Sequence, residues 1–137
     1  MRLFLLPLLL LPLLSGCVDD RTAYEAEGNQ IFTLIREQPY FWKKEASLYL
    51  VVSRMPKCMR RHSLGKISID SSVELWQYRP DTFIVKFEDS MFATETDTCE
   101  GLEKLDKDPP GGKGTLIGTY EQGQDKFVFT PAKRSSR

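Results

Sequence analysis

Twelve consecutive apolar residues, Leu3 to Leu14, follow Arg2 and run into Ser15-Gly16, and this opening decides how much of the chain is available to fold. A membrane-spanning helix needs about 20 apolar residues; this run is shorter and is interrupted by Pro7 and Pro12. A positive start, a short apolar middle and small residues before a cut are the parts of a secretory signal. Removing residues 1–16 from 137 leaves 121, which fits one domain with a modest core and leaves no room for a second.

The residues at the cut, Leu14-Ser15-Gly16-Cys17, resemble the lipobox of bacterial lipoproteins at all four positions. The resemblance covers the targeting segment alone. It implies that the Cys17 thiol is joined to diacylglycerol, that cleavage makes Cys17 the first residue, and that its amine is acylated. Two or more chains, at ~0.8 kcal/mol per buried methylene, anchor stably where one is marginal. In enterobacterial lipoproteins an Asp directly after the acylated cysteine holds the protein at the inner membrane. Here Val18 stands at that position, with Asp19 and Asp20 following, so the resemblance implies the outer membrane, facing the periplasm. The competing reading is a chance cysteine after an ordinary signal peptide. The resulting division is a signal peptide at 1–16, a lipidated tether at 17–21, one domain at 22–130 and a flexible tail at 131–137.

Once the lipid claims Cys17, three cysteines reduce to the pair Cys58 and Cys99. In an oxidising compartment that pair is expected to be a disulfide. Closing a loop of this length stabilises a chain by ~4 kcal/mol on the chain-entropy account. The precursor carries 19 basic and 19 acidic side chains, and loss of Arg2 leaves 18 against 19. That balance argues against nucleic acid as a partner, which calls for a strongly basic domain.

The pattern of the remaining residues predicts an α+β domain: an N-terminal helix packed on an antiparallel sheet of about five or six strands, with a short second helix and one disulfide. Thr22 and Glu25 have capping-box spacing, and Tyr24, Ile31, Leu34 and Ile35 share a helical face, giving a helix from Thr22 to Glu37 that Pro39 stops. Alternation from Ala46 to Ser53 predicts a strand buried on both faces. Residues 57–66 read as basic and irregular, with a short edge strand from Lys66 to Asp70. Val73–Tyr78 and Thr82–Glu88 form a hairpin around Arg79-Pro80-Asp81, and Met91–Thr96 is a possible continuation. Asp97 or Thr98 would cap the second helix, Cys99 to Asp106, which Asp108-Pro109-Pro110-Gly111-Gly112 ends. Thr115–Tyr120 and Lys126–Thr130 make a last hairpin.

Three segments are candidates for function. Met55, Cys58, Met59 and His62 bring soft sulfur and the only imidazole within eight residues, a donor set that suits Cu(I). Against that stand the cations Lys57, Arg60 and Arg61 and the disulfide expected at Cys58. The basic run Arg54, Lys57, Arg60, Arg61, His62 and Lys66 suits anionic lipid headgroups or an acidic partner. A disulfide would also set it opposite the acidic stretch Glu95, Asp97, Glu100, Glu103, Asp106 and Asp108, as mutually neutralising surface pairs. Tyr40-Phe41-Trp42-Lys43-Lys44 suits stacking on peptidoglycan sugars, burial in a partner, or the lipid interface near the anchor; core packing between helix and first strand is the plainer account of at least two rings. Gly111-Gly112-Lys113-Gly114-Thr115 lacks the order and context of a phosphate loop, and no Ser, Cys or Asp arrangement surrounds His62.

The expectation is a lipid-anchored, non-enzymatic envelope protein that binds another envelope protein as an accessory, assembly or scaffold subunit at the membrane. It requires no cofactor beyond the covalent lipid on Cys17. The alternative is a periplasmic carrier of a small ligand or copper, centred on Met55, Met59 and His62.

Overall fold

A computed structural model describes residues 18–40, 42–124 and 126–133. Cys17, the signal peptide and residues 134–137 of the expected tail lie outside the described residues, as do Phe41 and Asp125. Ten antiparallel strands make up two sheets, and no helix is present among the described residues. The first sheet holds β1 (Val18–Ala26), β2 (Gln30–Gln38), β3 (Glu45–Arg54) and β4 (Cys58–Ser68), in that order. The second holds β5 (Val73–Arg79), β6 (Thr82–Phe87), β7 (Ser90–Glu95), β8 (Leu102–Lys104), β9 (Thr115–Gln122) and β10 (Phe127–Pro131), in the order β10-β9-β5-β6-β7-β8.

This corrects the expected α+β fold. The segment predicted as an N-terminal helix is the β1–β2 hairpin, and its first strand takes in residues 18–21, which the sequence had assigned to a tether. The reason lies in three adjacent residues: Glu27-Gly28-Asn29 form the turn, and Gly28 and Asn29 both take positive φ, 77° and 62°. That conformation is cheap for Gly and tolerated by Asn. On either side the side chains follow a period of two, with Phe32, Leu34 and Arg36 buried on one face and Ile31, Thr33 and Ile35 on the other. The β-branched residues favour the strand, and pairing along both edges of β2 supplies the backbone bonds that a helix would have made internally.

The second helix is also overturned. Cys99 has φ 62°, outside any helix, and Leu102–Lys104 pairs with β7 as β8. Thr98, expected to begin a helix, instead serves the carboxylate of Glu95. That carboxylate accepts the N–H groups of Asp97 (2.6 Å), Thr98 (2.8 Å) and Gly101 (3.1 Å), together with the Thr98 hydroxyl. With its donors drawn to one side chain, the segment closes as a loop.

Of residues 57–66, read as irregular, all but Lys57 belong to the eleven-residue β4. A bulge hides the alternation: Leu48 faces Gly65 while Tyr49 faces Ser63, so the extra residue shifts the inward parity. His62 is buried before it, Leu64 within it and Ile67 after it. The predicted β3, the β5–β6 hairpin, the continuation at β7 and the β9–β10 hairpin all appear, with ends moved by one or two residues.

The second sheet, in place of a helix, covers the first. Phe32 of β2 meets Phe83 of β6 with ring centroids 4.2 Å apart, inside a core that includes Leu34, Leu48, Leu50, Val73, Leu75 and Tyr120. Tyr120 crosses the layer, and its buried hydroxyl donates to the Phe32 carbonyl at 2.7 Å. Burial, with the nearby Tyr24 adding to it, pushes this phenol far above its ordinary value. Arg36, 4% exposed, is the charged counterpart. Its guanidinium pairs with Asp20 at 2.6 Å, donates to the Ile69 carbonyl at 3.0 Å and to the Gln122 side chain, and lies over the Phe127 ring at 4.1 Å.

Candidate functional site

The strand directions sort every loop to one of two ends. At one end are the start of β1, the loop between Gln38 and Glu45, and the end of β4, because Val18 pairs with Gln38 and Glu45 pairs with Ser68. At the other are the β1–β2 turn, the turn at 55–57 and Cys58, because Gln30 pairs with Arg54 and Arg54 with Cys58. Nine residues of β1 separate the ends by roughly 30 Å at ~3.4 Å per residue. The candidate interaction residues Tyr40, Trp42, Lys43, Lys44, Arg60 and Arg61 therefore divide between the ends. Tyr40, Trp42, Lys43 and Lys44 occupy the β2–β3 loop, while Arg60 and Arg61 lie on β4 towards the opposite end.

Large apolar side chains are exposed at two places among the described residues, one at each end: Tyr40 (46%) and Trp42 (63%), and Met55 (54%) and Met59 (64%). Core packing between the first elements is thus excluded for Tyr40 and Trp42.

The methionine end is built around the disulfide. Cys58 and Cys99 are bonded, with Cα atoms 5.7 Å apart, and this joins the start of edge strand β4 to the β7–β8 loop of the other sheet. The opposite charges do meet across it. Lys57 pairs with Asp97, and Arg60 reaches Glu100 at 3.8 Å. Both pairs are well exposed, so each contributes about 0.2–1 kcal/mol at most. Arg61 turns elsewhere: its guanidinium lies 4.1 Å over the Tyr49 ring and pairs with Glu37 at 3.0 Å. Glu95 organises the facing loop. Burial raises its pKa, but the Thr98 hydroxyl and the N–H groups of Thr98, Gly101 and Asp97 outweigh that and bring it down to about 2.

The expected copper donors do not converge. Met59 and His62 stand three positions apart in a strand, before the bulge, and so project to opposite faces. His62 is buried with Nε2 2.7 Å from the Cys99 carbonyl, to which it donates. The Cys58 sulfur is committed to the disulfide, and Met55 sits in the exposed turn before β4. His, Cys, Asp and Glu side chains form no metal-holding group among the described residues. The glycine-rich segment is a folded turn, in which Lys113 pairs with Asp108 at 3.2 Å and lies 5.0 Å over the Trp76 ring.

An open groove of about 760 Å³ runs between the end of β1 and strands β5, β9 and β10, lined by Tyr24, Gln30, Gln77, Ile117 and Lys133 among others. It is mostly polar and broadly open to solvent, unlike the enclosed apolar cavity a small-molecule carrier needs.

Sequence reasoning missed the buried Arg36–Asp20 pair and the Glu95 loop cap. The partners of Arg36 come from the distant residues 20, 69, 122 and 127, whereas those of Glu95 lie within six residues of it, at 97, 98 and 101. Placing Arg60, Arg61 and Met59 on an edge strand was equally out of reach while residues 57–66 read as irregular.

The eleven-residue β4 is an edge of its sheet, laddered to β3 alone, and at its end the Ser68 N–H is taken by the Glu88 carboxylate at 2.9 Å. Such an edge is available for pairing with a strand from another chain. Its exposed residues Met59, Arg60, Arg61 and Lys66 discourage self-pairing through like charge while favouring an acidic partner. Compared with family profiles, curated proteins and solved structures, the chain matches none.

Proposed function

We propose that this chain is a lipid-anchored bacterial envelope protein, held at the outer membrane facing the periplasm, whose sandwich binds another envelope protein without catalysing a reaction. The lipobox-like Leu14-Ser15-Gly16-Cys17 supports the anchor. The observation that carries the binding role is the position of Met55, Met59 and Arg60 at the end of the sandwich remote from Val18, on and beside an edge strand. A domain anchored at one end presents the other to its surroundings, and confinement to a surface raises its effective concentration there.

The disulfide, the two ion pairs across it and the Glu95 cap hold this end in one shape. Pre-ordering of this kind lowers the cost of binding. The methionines provide adaptable apolar contact, and the exposed Arg60 guanidinium provides directional donors for carboxylates. The copper-carrier reading has no support from the placement of Met55, Met59 and His62.

The test is site-specific photocrosslinking in intact envelopes, with the photoreactive residue at Met59 or, as a control on the other sheet, at Thr119. One discrete product from Met59, absent from Thr119 and lost on Arg60→Glu, is the expected outcome. No product at Met59, or the same products at both positions, would contradict the proposed binding end.

A further inference from the structure

The β2–β3 loop has a second role to fill, because it is exposed, aromatic and placed beside the start of β1. Val18 shares a rung with Gln38, and Pro39 follows directly. The loop joins the strands one and two spacings from β1, or roughly 5 and 10 Å away. Anything attached at residue 17 therefore emerges next to it.

The loop is firmly held. The Lys43 N–H donates to the Tyr40 carbonyl at 3.0 Å, the Gln38 side-chain amide donates to the Lys43 carbonyl, and the Ile69 N–H donates to the Lys44 carbonyl at 2.9 Å. On this platform the Tyr40 and Trp42 rings stack with centroids 4.8 Å apart and planes 11° from parallel. Lys43 and Lys44 are exposed beside them. Exposed Trp and Tyr flanked by Lys is the composition that residues take at a membrane interface, where rings sit at headgroup depth and ammonium groups meet phosphate.

We infer that Tyr40, Trp42, Lys43 and Lys44 form a lipid-contacting foot that seats this end of the sandwich on the bilayer beside the acyl anchor. The inference rests on the proposed lipidation of Cys17. With β1 beginning at Val18, no length of tether separates the acyl chains from the domain, so this end must lie against the headgroups whenever the chains are inserted. Glu45 and Asp70 are exposed close by, which limits net attraction to anionic lipid and leaves the ring pair to supply the insertion. The foot also fixes orientation, since it turns the methionine end away from the membrane.

The experiment uses the full mature protein extracted from its native membrane and reconstituted into vesicles of phosphatidylethanolamine and phosphatidylglycerol, with or without lipids brominated along their acyl chains. The chain has two tryptophans, so the difference between wild type and Trp42→Phe isolates Trp42 from Trp76. Brominated lipid is expected to quench the Trp42 share of the emission by about half or more while leaving the Trp42→Phe emission nearly unchanged, and Lys43→Glu with Lys44→Glu should lower that quenching about twofold. Emission of Trp42 that is unaffected by bromine in protein that co-floats with the vesicles would overturn the foot and leave the anchor standing. Failure of the protein to co-float would overturn both.

Discussion

Val18 and Gln38 face each other on one rung of the β1–β2 ladder, so the residue after Cys17 and the residue before the Pro39–Lys44 loop are neighbours in space. Twenty residues apart in sequence, they become adjacent because Gly28 and Asn29 turn the chain back. The pairing makes one end of the sandwich the end at which Cys17 enters, and it leaves the disulfide, Met55, Met59 and Arg60 at the other.

Removing the disulfide with Cys58→Ser and Cys99→Ser together should lower stability by about 4 kcal/mol, the chain-entropy value for a bridge spanning 41 residues. Denaturant titration of the oxidised protein and the double variant measures the difference. A loss near zero would mean that the bridge constrains nothing the sheets do not already hold.

Asp20→Asn should cost about 2–3 kcal/mol, below the ~3–5 kcal/mol for a fully buried pair because Asp20 keeps some solvent contact. Arg36 would be left charged in the core without its countercharge, with the Ile69 carbonyl, the Gln122 side chain, the Phe127 ring and a neutral amide oxygen at position 20 as its partners. Thermal or denaturant unfolding reads this directly. A neutral result would show that β1 is not docked through this pair.

Tyr120→Phe removes the hydroxyl that reaches the Phe32 carbonyl across the two sheets. The expected cost is about 1–2 kcal/mol, the range for a buried hydrogen bond whose acceptor loses its partner. The variant should keep the native fold, because the ring and its contacts with Phe127 and Phe129 remain. Stability equal to the wild type would contradict the crossing bond.

Glu95 gives stability a defined acid dependence. Its pKa falls from 4.5 to about 2 in the folded chain, so its contribution is complete above about pH 4.5 and is lost as pH falls from there towards 2. Glu95→Gln should therefore be less stable at neutral pH and show a shallower fall in stability across that window. Parallel profiles for the two proteins would contradict the carboxylate cap.

The sequence disclosed the elements whose pattern is local. Leu48, Leu50 and Val52 alternate without interruption, and Phe83, Val85 and Phe87 do the same beside a proline turn; both strands were found where expected. It disclosed the Cys58–Cys99 pair because assigning Cys17 to the expected lipid leaves these two as the remaining cysteines. The helices were misread for physical reasons. In β2 the inward positions include Gln30 and Arg36, polar residues that break a visible period of two, while Ile31, Leu34 and Ile35 happen to satisfy a helical spacing. In β4 the bulge shifts the parity between Leu64 and Ile67. The Arg36 cluster depends on contacts between distant segments, which no local window contains; the Glu95 cap is local, and it was hidden because Asp97 and Thr98 read as the start of a helix. The aromatic–lysine loop was visible as a composition, and only the pairing of Val18 with Gln38 placed it beside the proposed anchor.

The central claim is that Cys17 carries the lipid and begins the mature chain, so that the sandwich is seated directly on the membrane. Intact mass measurement of the protein from its native membranes tests this most directly. The account predicts a chain of residues 17–137 that carries diacylglycerol and an additional acyl chain on Cys17, and that shows no such mass in the Cys17→Ala variant. A mature chain with unmodified Cys17, or one that begins elsewhere, would contradict it.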